Sequence, residues 1–147
     1  MTVVFCGHST YIRNQQDENV LLEILESTVG GMPCDFFLGE YGNFDKFGYE
    51  CAYKFKQKHP SARLIFITPY ISSGVQIHSM QNRFDLILYP SLENIPPRYA
   101  ISHRNKWMVE QADIVFAYVT HHYGGAYQMY HHAQKKGKKI YNIGLME

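Results

Sequence analysis

The sequence predicts an α/β domain in which a mostly parallel β-sheet lies between two helical layers. Three observations lead there. Short β-rich runs alternate with longer stretches whose apolar residues recur at helical spacing. The β-rich runs are almost continuously apolar, as strands covered on both faces must be. Glycine or polar turns follow the runs, which suits short connections between elements.

Thr2–Cys6 is the first such run and breaks at Gly7. From Asn14 to Val29, apolar residues fall at Val20, Leu21, Ile24, Leu25 and Val29 with charges between, predicting a helix with one buried stripe. Gly30, Gly31 and Pro33 stop it. Asp35–Leu38 reads as the second strand. Asp45–Lys58 reads as the second helix, with Phe47, Cys51 and Phe55 four residues apart and Pro60 beyond its end. Arg63–Thr68 is the third strand. Residues 69–83, rich in Ser, Gln and Asn, read as a mobile loop or lid. Phe84–Tyr89 is the fourth strand, and Arg98–Gln111 a helix entered through Pro96 and Pro97. Asp113–Val119 is the fifth strand, Gly124–Lys136 the last helix and Lys139–Ile143 the last strand.

Repeated strand–helix–strand units of this length give a Rossmann-like three-layer sandwich, a single domain over residues 1–147. Hydrophobic residues make up 46% of the chain and charged ones 18%, enough to build a core and too apolar for a disordered chain. The net charge of +1 sets up no field that selects nucleic acid or an anionic membrane. Apolar runs stay well short of the roughly 20 residues that span a bilayer. The opening residues lack a basic segment, so no signal peptide is expected and the localisation expected is cytoplasmic. Cys6, Cys34 and Cys51 form an odd set without metal-type spacing and read as reduced thiols.

Ligands of open parallel sheets bind beyond the carboxyl ends of the strands. Three glycine-bearing turns stand at those ends. Gly7-His8 follows the first strand, Gly39-Glu40-Tyr41-Gly42-Asn43 the second, and Tyr123-Gly124-Gly125-Ala126 comes shortly after the fifth. Glycines let main-chain N–H groups approach an anion, and a following helix adds the positive end of its dipole. The convergence favours a phosphate-bearing small molecule over three unrelated tight turns. The dinucleotide fingerprint and the Walker loop are both absent, so neither a nicotinamide cofactor nor P-loop chemistry is expected, and no cofactor is implied.

Three blocks resemble the SLOG superfamily of Rossmann-like nucleotide-ligand proteins, which includes the lonely-guy phosphoribohydrolases, DprA and the YpsA-like proteins. Val4–His8 resembles the opening strand and turn. Phe37–Asp45 resembles the second-strand loop of the YpsA-like version. Arg104–Met108, Ala112-Asp113, Ala117–Val119 and Gly124–Ala126 resemble the last block. The resemblance implies homodimers or higher assemblies and, for some members, sensing of nucleotide signals. Lonely-guy enzymes cleave an N-glycosidic bond with an Arg and a Glu from P-G-G-x-G-T-x-x-E. Arg104 matches that Arg, and Gly124-Gly125 the glycine pair. Tyr123 stands for the Pro, Tyr127-Gln128 for Gly-Thr, and the Glu position falls on His131. A histidine there supplies no fixed negative charge for an oxocarbenium-like centre.

The leading expectation is therefore a binder or sensor of a nucleotide-like small molecule. Its ligand residues are Gly7, His8, Gly39, Glu40, Tyr41, Gly42, Asn43, Arg104, Asn105, Tyr123, Gly124, Gly125 and Ala126. Arg104 offers a guanidinium to phosphate. Asn105 either holds a ribose hydroxyl or caps its helix. Tyr41 or Tyr123 stacks on a base, or else packs in the core. Asp45 either binds ribose or caps the following helix. The runner-up is a phosphoribohydrolase with Arg104, His131 and Glu40 as catalytic candidates. The third reading is a DprA-like single-stranded DNA binder, which the near-neutral charge disfavours. The pairs His121-His122 and His131-His132 lack partner ligands, so no metal site is expected; His122 or His131 is the one expected to face the ligand. The run Lys135–Lys139 reads as a helix end and turn.

Overall fold

A computed structural model describes residues 1–71 and 82–146. Six strands form one parallel sheet: β1 (Thr2–Gly7), β2 (Cys34–Leu38), β3 (Ala62–Ile67), β4 (Leu86–Leu88), β5 (Ile114–Tyr118) and β6 (Lys139–Asn142). Their order across the sheet is β4-β3-β2-β1-β5-β6. Among the described residues four α-helices cover it: α1 (Gln15–Thr28), α2 (Asn43–Lys58), α3 (Ala100–Gln111) and α4 (Gly124–Lys135). This is the Rossmann-like α/β sandwich that the alternating pattern predicts.

Side-chain alternation assigns each helix to a face. Val3 and Phe5 of β1, with Phe36, Leu64, Phe66 and Phe116, meet Leu21 and Leu25 of α1 and Phe44, Phe47, Cys51 and Phe55 of α2. Val4 and Cys6, with Ile65, Ile67, Val115 and Ala117, meet Met108 and Val109 of α3 and Met129 and Ala133 of α4. Both faces of β1 are thus buried, which is why its sequence is unbroken apolar. Phe5 stacks between Phe36 and Phe116, at ring-centroid distances of 6.2 and 5.9 Å. Full burial of each such ring contributes about 1.5–3 kcal/mol. Trp107 stacks on Phe37 of β2 at 5.6 Å, so this end of α3 packs on the sheet.

From β1 the chain steps outward through β2, β3 and β4, with α1 and α2 on one face. It then returns over the opposite face through α3 and enters β5 on the other side of β1. Right-handed crossovers require helices to change faces when the direction of travel reverses. The reversal puts the topological switch between β1 and β5, which pair from Val3↔Ile114 to Gly7↔Tyr118.

Several boundaries differ from the sequence expectation. The run Phe84–Tyr89 yields only three strand residues, since β4 is an edge strand paired on one side alone. The stretch from Arg98 divides into a 3-10 turn, Pro97–Tyr99, and the helix α3. Helix α2 starts two residues early because Gly42, at φ 87°, serves as its N-cap. Most of the 69–83 segment lies outside the described residues. Among the described residues no helix is long and apolar enough to cross a membrane.

Candidate functional site

A cleft with a volume of ≈ 560 Å³ opens at the switch point. Its wall comes from the β1 turn (Gly7, His8, Ser9, Thr10), from Tyr41 and Asp45 after β2, from Arg104 and Asn105 on α3, and from His121 and Tyr123–Ala126 after β5. Phe5, Ile101, Met108 and Met129 form the apolar floor. Volume and lining suit a small-molecule site, for which about 300–1,000 Å³ is usual.

The first and third glycine turns meet here, but the second contributes differently. Asn43 N–H donates to Ser9 O (3.0 Å), and Tyr41 N–H donates to Asp45 Oδ2 (3.0 Å). Two amides that the sequence assigns to an anion are therefore spent inside the protein. A Cβ on Gly42 would stand 2.8 Å from Ser9 Cα, and one on Gly7 2.3 Å from Phe44 Cγ. These glycines let two loops and a helix close on one another. Gly39, Glu40, Gly42 and Asn43 support the rim without lining the cleft.

The turn before α4 has the opposite character. Gly124 has φ 88°, and a Cβ on Gly124 or Gly125 would meet nothing within 4 Å. Tyr123, the N-cap, makes no side-chain capping bond. The first-turn amides of α4 have no carbonyl four residues earlier to bind, and the residues that carry them, Gly124, Gly125 and Ala126, line the cleft. They carry the positive end of the helix dipole. The thiol of Cys6 donates to Ala126 O (3.2 Å), anchoring this turn to β1. Burial pushes that thiol far above its ordinary range, so it stays protonated.

Arg104 is 1% exposed. Its Nη1 donates to Ile67 O (2.7 Å) and Gly39 O (3.2 Å), and its Nε donates to Asn105 Oδ1 (2.9 Å). The guanidinium thus joins the ends of β2 and β3 to α3, and only Nη2 has no hydrogen-bond partner among the described residues. Burial lowers its pKa, while Asp45, Tyr41 and Tyr70 act the other way. Tyr41 lies 5.3 Å from the guanidinium carbon, in cation–π range.

Asp45 is the residue that sequence reasoning undervalued. At the third position of α2 its carboxylate reaches back past the Gly42 N-cap and accepts from Tyr41 N–H. Asp45 and Arg104 both crowd Gly39, where a Cβ would stand 3.3 Å from Asp45 Oδ2 and 3.1 Å from Arg104 Nη2. Desolvation pushes the Asp45 carboxyl up to about 7, and Glu40 adds to the rise; Arg104 and the Tyr41 amide oppose it without cancelling it. A carboxyl able to hold or release a proton near neutrality therefore lines the cleft. The signal available in the sequence was an acid three residues after a glycine N-cap.

His8 accepts a hydrogen bond at Nε2 from Thr120 N–H (3.0 Å), which places its proton on Nδ1. Desolvation and His121 lower its pKa, so the ring is neutral near pH 7. His8, His121 and Tyr123 form a ring stack with centroid spacings of 4.0 and 3.9 Å. His121 is thus the cleft histidine of its pair. His122 turns toward Tyr127, and His131 stacks on Tyr127 on the exposed side of α4, outside the cleft. Glu40, the other acid/base candidate, is held in a two-pronged ion pair with Arg83 (both contacts 2.8 Å). Its positive φ of 64° marks a strained turn that this pair holds in place. No cluster of three metal-ligating side chains occurs among the described residues.

No protein-family model matches the sequence, and no curated protein is significantly similar to it. Solved structures do share its fold. TM1055, a structural-genomics target, is 15% identical with a TM-score of 0.57, over 95% of this chain and 71% of its own. DNA processing protein A from Helicobacter pylori, for which a single-stranded DNA binding mode is described, is 16% identical with a TM-score of 0.63. DprA from Streptococcus pneumoniae is 11% identical with a TM-score of 0.63. This chain spans 63% and 48% of the lengths of those two proteins. These structures share the Rossmann-like α/β fold of this chain.

Proposed function

We propose that the cleft binds a nucleotide or a nucleotide-derived small molecule at the β1/β5 switch point. The phosphate lies on the first-turn amides of α4, at Gly125 and Ala126, with Arg104 Nη2 supplying a nearby positive charge. The base stacks against Tyr41 or Tyr123, at the end of the His8–His121–Tyr123 stack. His8 Nδ1–H and Asp45 are the groups for the sugar hydroxyls. The observation that supports this reading is a contrast between the turns: the Tyr41 and Asn43 amides of the second turn are bonded internally, whereas Gly124, Gly125 and Ala126 at the start of α4 line an open cleft. Sensing without turnover fits the absence of the family's glutamate, since His131 stands outside the cleft.

Isothermal titration with AMP and with adenosine tests the reading. AMP is expected to bind at least tenfold more tightly, because adenosine lacks the group that α4 holds. Equal affinities, or binding of neither, contradict it.

A hydrolytic reading keeps one specific support: Asp45, with its carboxyl near neutrality, in place of Glu40 and His131. Incubation with AMP and analysis for free base and ribose phosphate decides between the two. A homodimer rests on the resemblance alone. Native mass spectrometry reports the subunit count and any co-purified nucleotide together.

A further inference from the structure

The main cleft does not end at α4. A second hollow of ≈ 250 Å³ lies between α3 and α4, lined by Arg98, Ile101, Ser102, Asn105, Lys106, Gly125, Gln128 and Met129. It shares Ile101, Asn105, Gly125 and Met129 with the main cleft. Alone it falls below the usual ligand-site range of about 300–1,000 Å³, so it reads as an annexe rather than an independent site. Its floor is apolar (Ile101, Met129) and its rim polar, with two cations. Spacings of three and four residues put Ile101, Ser102, Asn105 and Lys106 on one side of α3.

The residue at the junction is already oriented. Asn105 Oδ1 accepts from Arg104 Nε, which leaves the Nδ2 donors without a hydrogen-bond partner among the described residues. Arg98 and Lys106 have no ion-pair partner among the described residues either. Arg98 is steadied over the Tyr99 ring at 4.8 Å. A free amide donor between two compartments, with two uncompensated cations beyond it, suits a ligand whose phosphate linkage crosses the junction.

We infer that the ligand is a dinucleotide: one nucleoside unit occupies the main cleft, the phosphate linkage passes Asn105 and Gly125, and the second unit lies between α3 and α4 under Arg98 and Lys106. This rests on the nucleotide reading of the main cleft and names the ligand class for it.

Titration of the protein with AMP, with the linear dinucleotide pApA and with a ten-residue oligoadenylate tests the inference. The expected result is at least tenfold tighter binding of pApA than of AMP, with no further gain per site for the decamer. In the Arg98→Ala/Lys106→Ala variant the ratio of the two affinities falls toward one. Equal affinities for AMP and pApA overturn the dinucleotide inference and leave the nucleotide reading standing. So does a ratio that the double variant does not change. Affinity that keeps climbing to the decamer overturns it in favour of a single-stranded polymer ligand. Binding of none of the three overturns the nucleotide reading itself.

Discussion

The turns after β2 and before α4 look alike in the sequence, each a glycine-rich stretch near the carboxyl end of a strand, and the structure uses them for opposite purposes. In the first, Gly39 and Gly42 are small because side chains or backbone press on them: Arg104 and Asp45 at Gly39, Ser9 at Gly42. Its amides at Tyr41 and Asn43 are bonded within the protein. In the second, Gly124 and Gly125 face open space and, with Ala126, line the cleft. Glycine is required in one turn by what is already present and left bare in the other for what arrives. A glycine turn marks a ligand site only when nothing inside the protein fills the room it leaves.

The largest effect should come from filling a packing glycine. Gly7→Ala drives a methyl group into the Phe44 ring, and relief requires moving α2 against β1. We expect a loss of about 3 kcal/mol, at the upper end of overpacking costs, read as a lower urea midpoint with an unchanged slope. A native-like midpoint would show that Phe44 can yield and that the close approach is not needed.

Gly125→Ala tests the other turn. Its Cβ enters empty space, so the melting temperature should stay within about 2 °C of wild type. AMP affinity should nevertheless fall about tenfold, equivalent to about 1.4 kcal/mol. Undiminished affinity would move the phosphate away from α4.

Asp45 sharpens the comparison through pH. Its folded-state pKa is raised from 3.8 to about 7, so between these values the folded protein holds a proton that the unfolded chain has released. Stability from this group therefore declines as pH rises from about 4 to about 7 and is flat above. Asp45→Asn keeps an acceptor for Tyr41 N–H and removes the buried charge. The variant should be more stable than wild type at pH 8, by about 1–4 kcal/mol, with the difference vanishing near pH 4. A variant less stable at pH 8 would mean that Arg104 compensates the carboxylate fully.

The smallest effect belongs to the partly exposed pair of Glu40 and Arg83. Arg83→Gln should cost under about 1 kcal/mol, measured by chemical denaturation. Any larger loss would assign the strained Glu40 backbone a greater dependence on its partner.

The sandwich was legible because β1 and β5 are buried on both faces and show it as unbroken apolar runs, while Leu21 and Leu25, or Phe47, Cys51 and Phe55, repeat at helical spacing. Glu18 was not legible as part of the buried side of α1. It is 3% exposed and held by Lys54, Gln15 and Arg13, from two separate elements and a loop, so its pKa is lowered. The site was half legible. Strand ends pointed to Gly7, His8, Tyr41 and the Tyr123–Ala126 turn, and the family resemblance pointed to Arg104; all of these line the cleft. What a linear pattern does not carry is which polar groups find internal partners. That hid the ion pair occupying Glu40, the carbonyls occupying Arg104, and the choice of His121 over His122 for the cleft.

Amide chemical-shift mapping of the protein during titration with AMP tests the central claim most directly. The account predicts the largest changes at Gly125, Ala126 and Tyr127, with smaller ones at His8 and Asn105. Changes centred on Tyr41–Asn43 with α4 silent, or no saturable change anywhere, would contradict it.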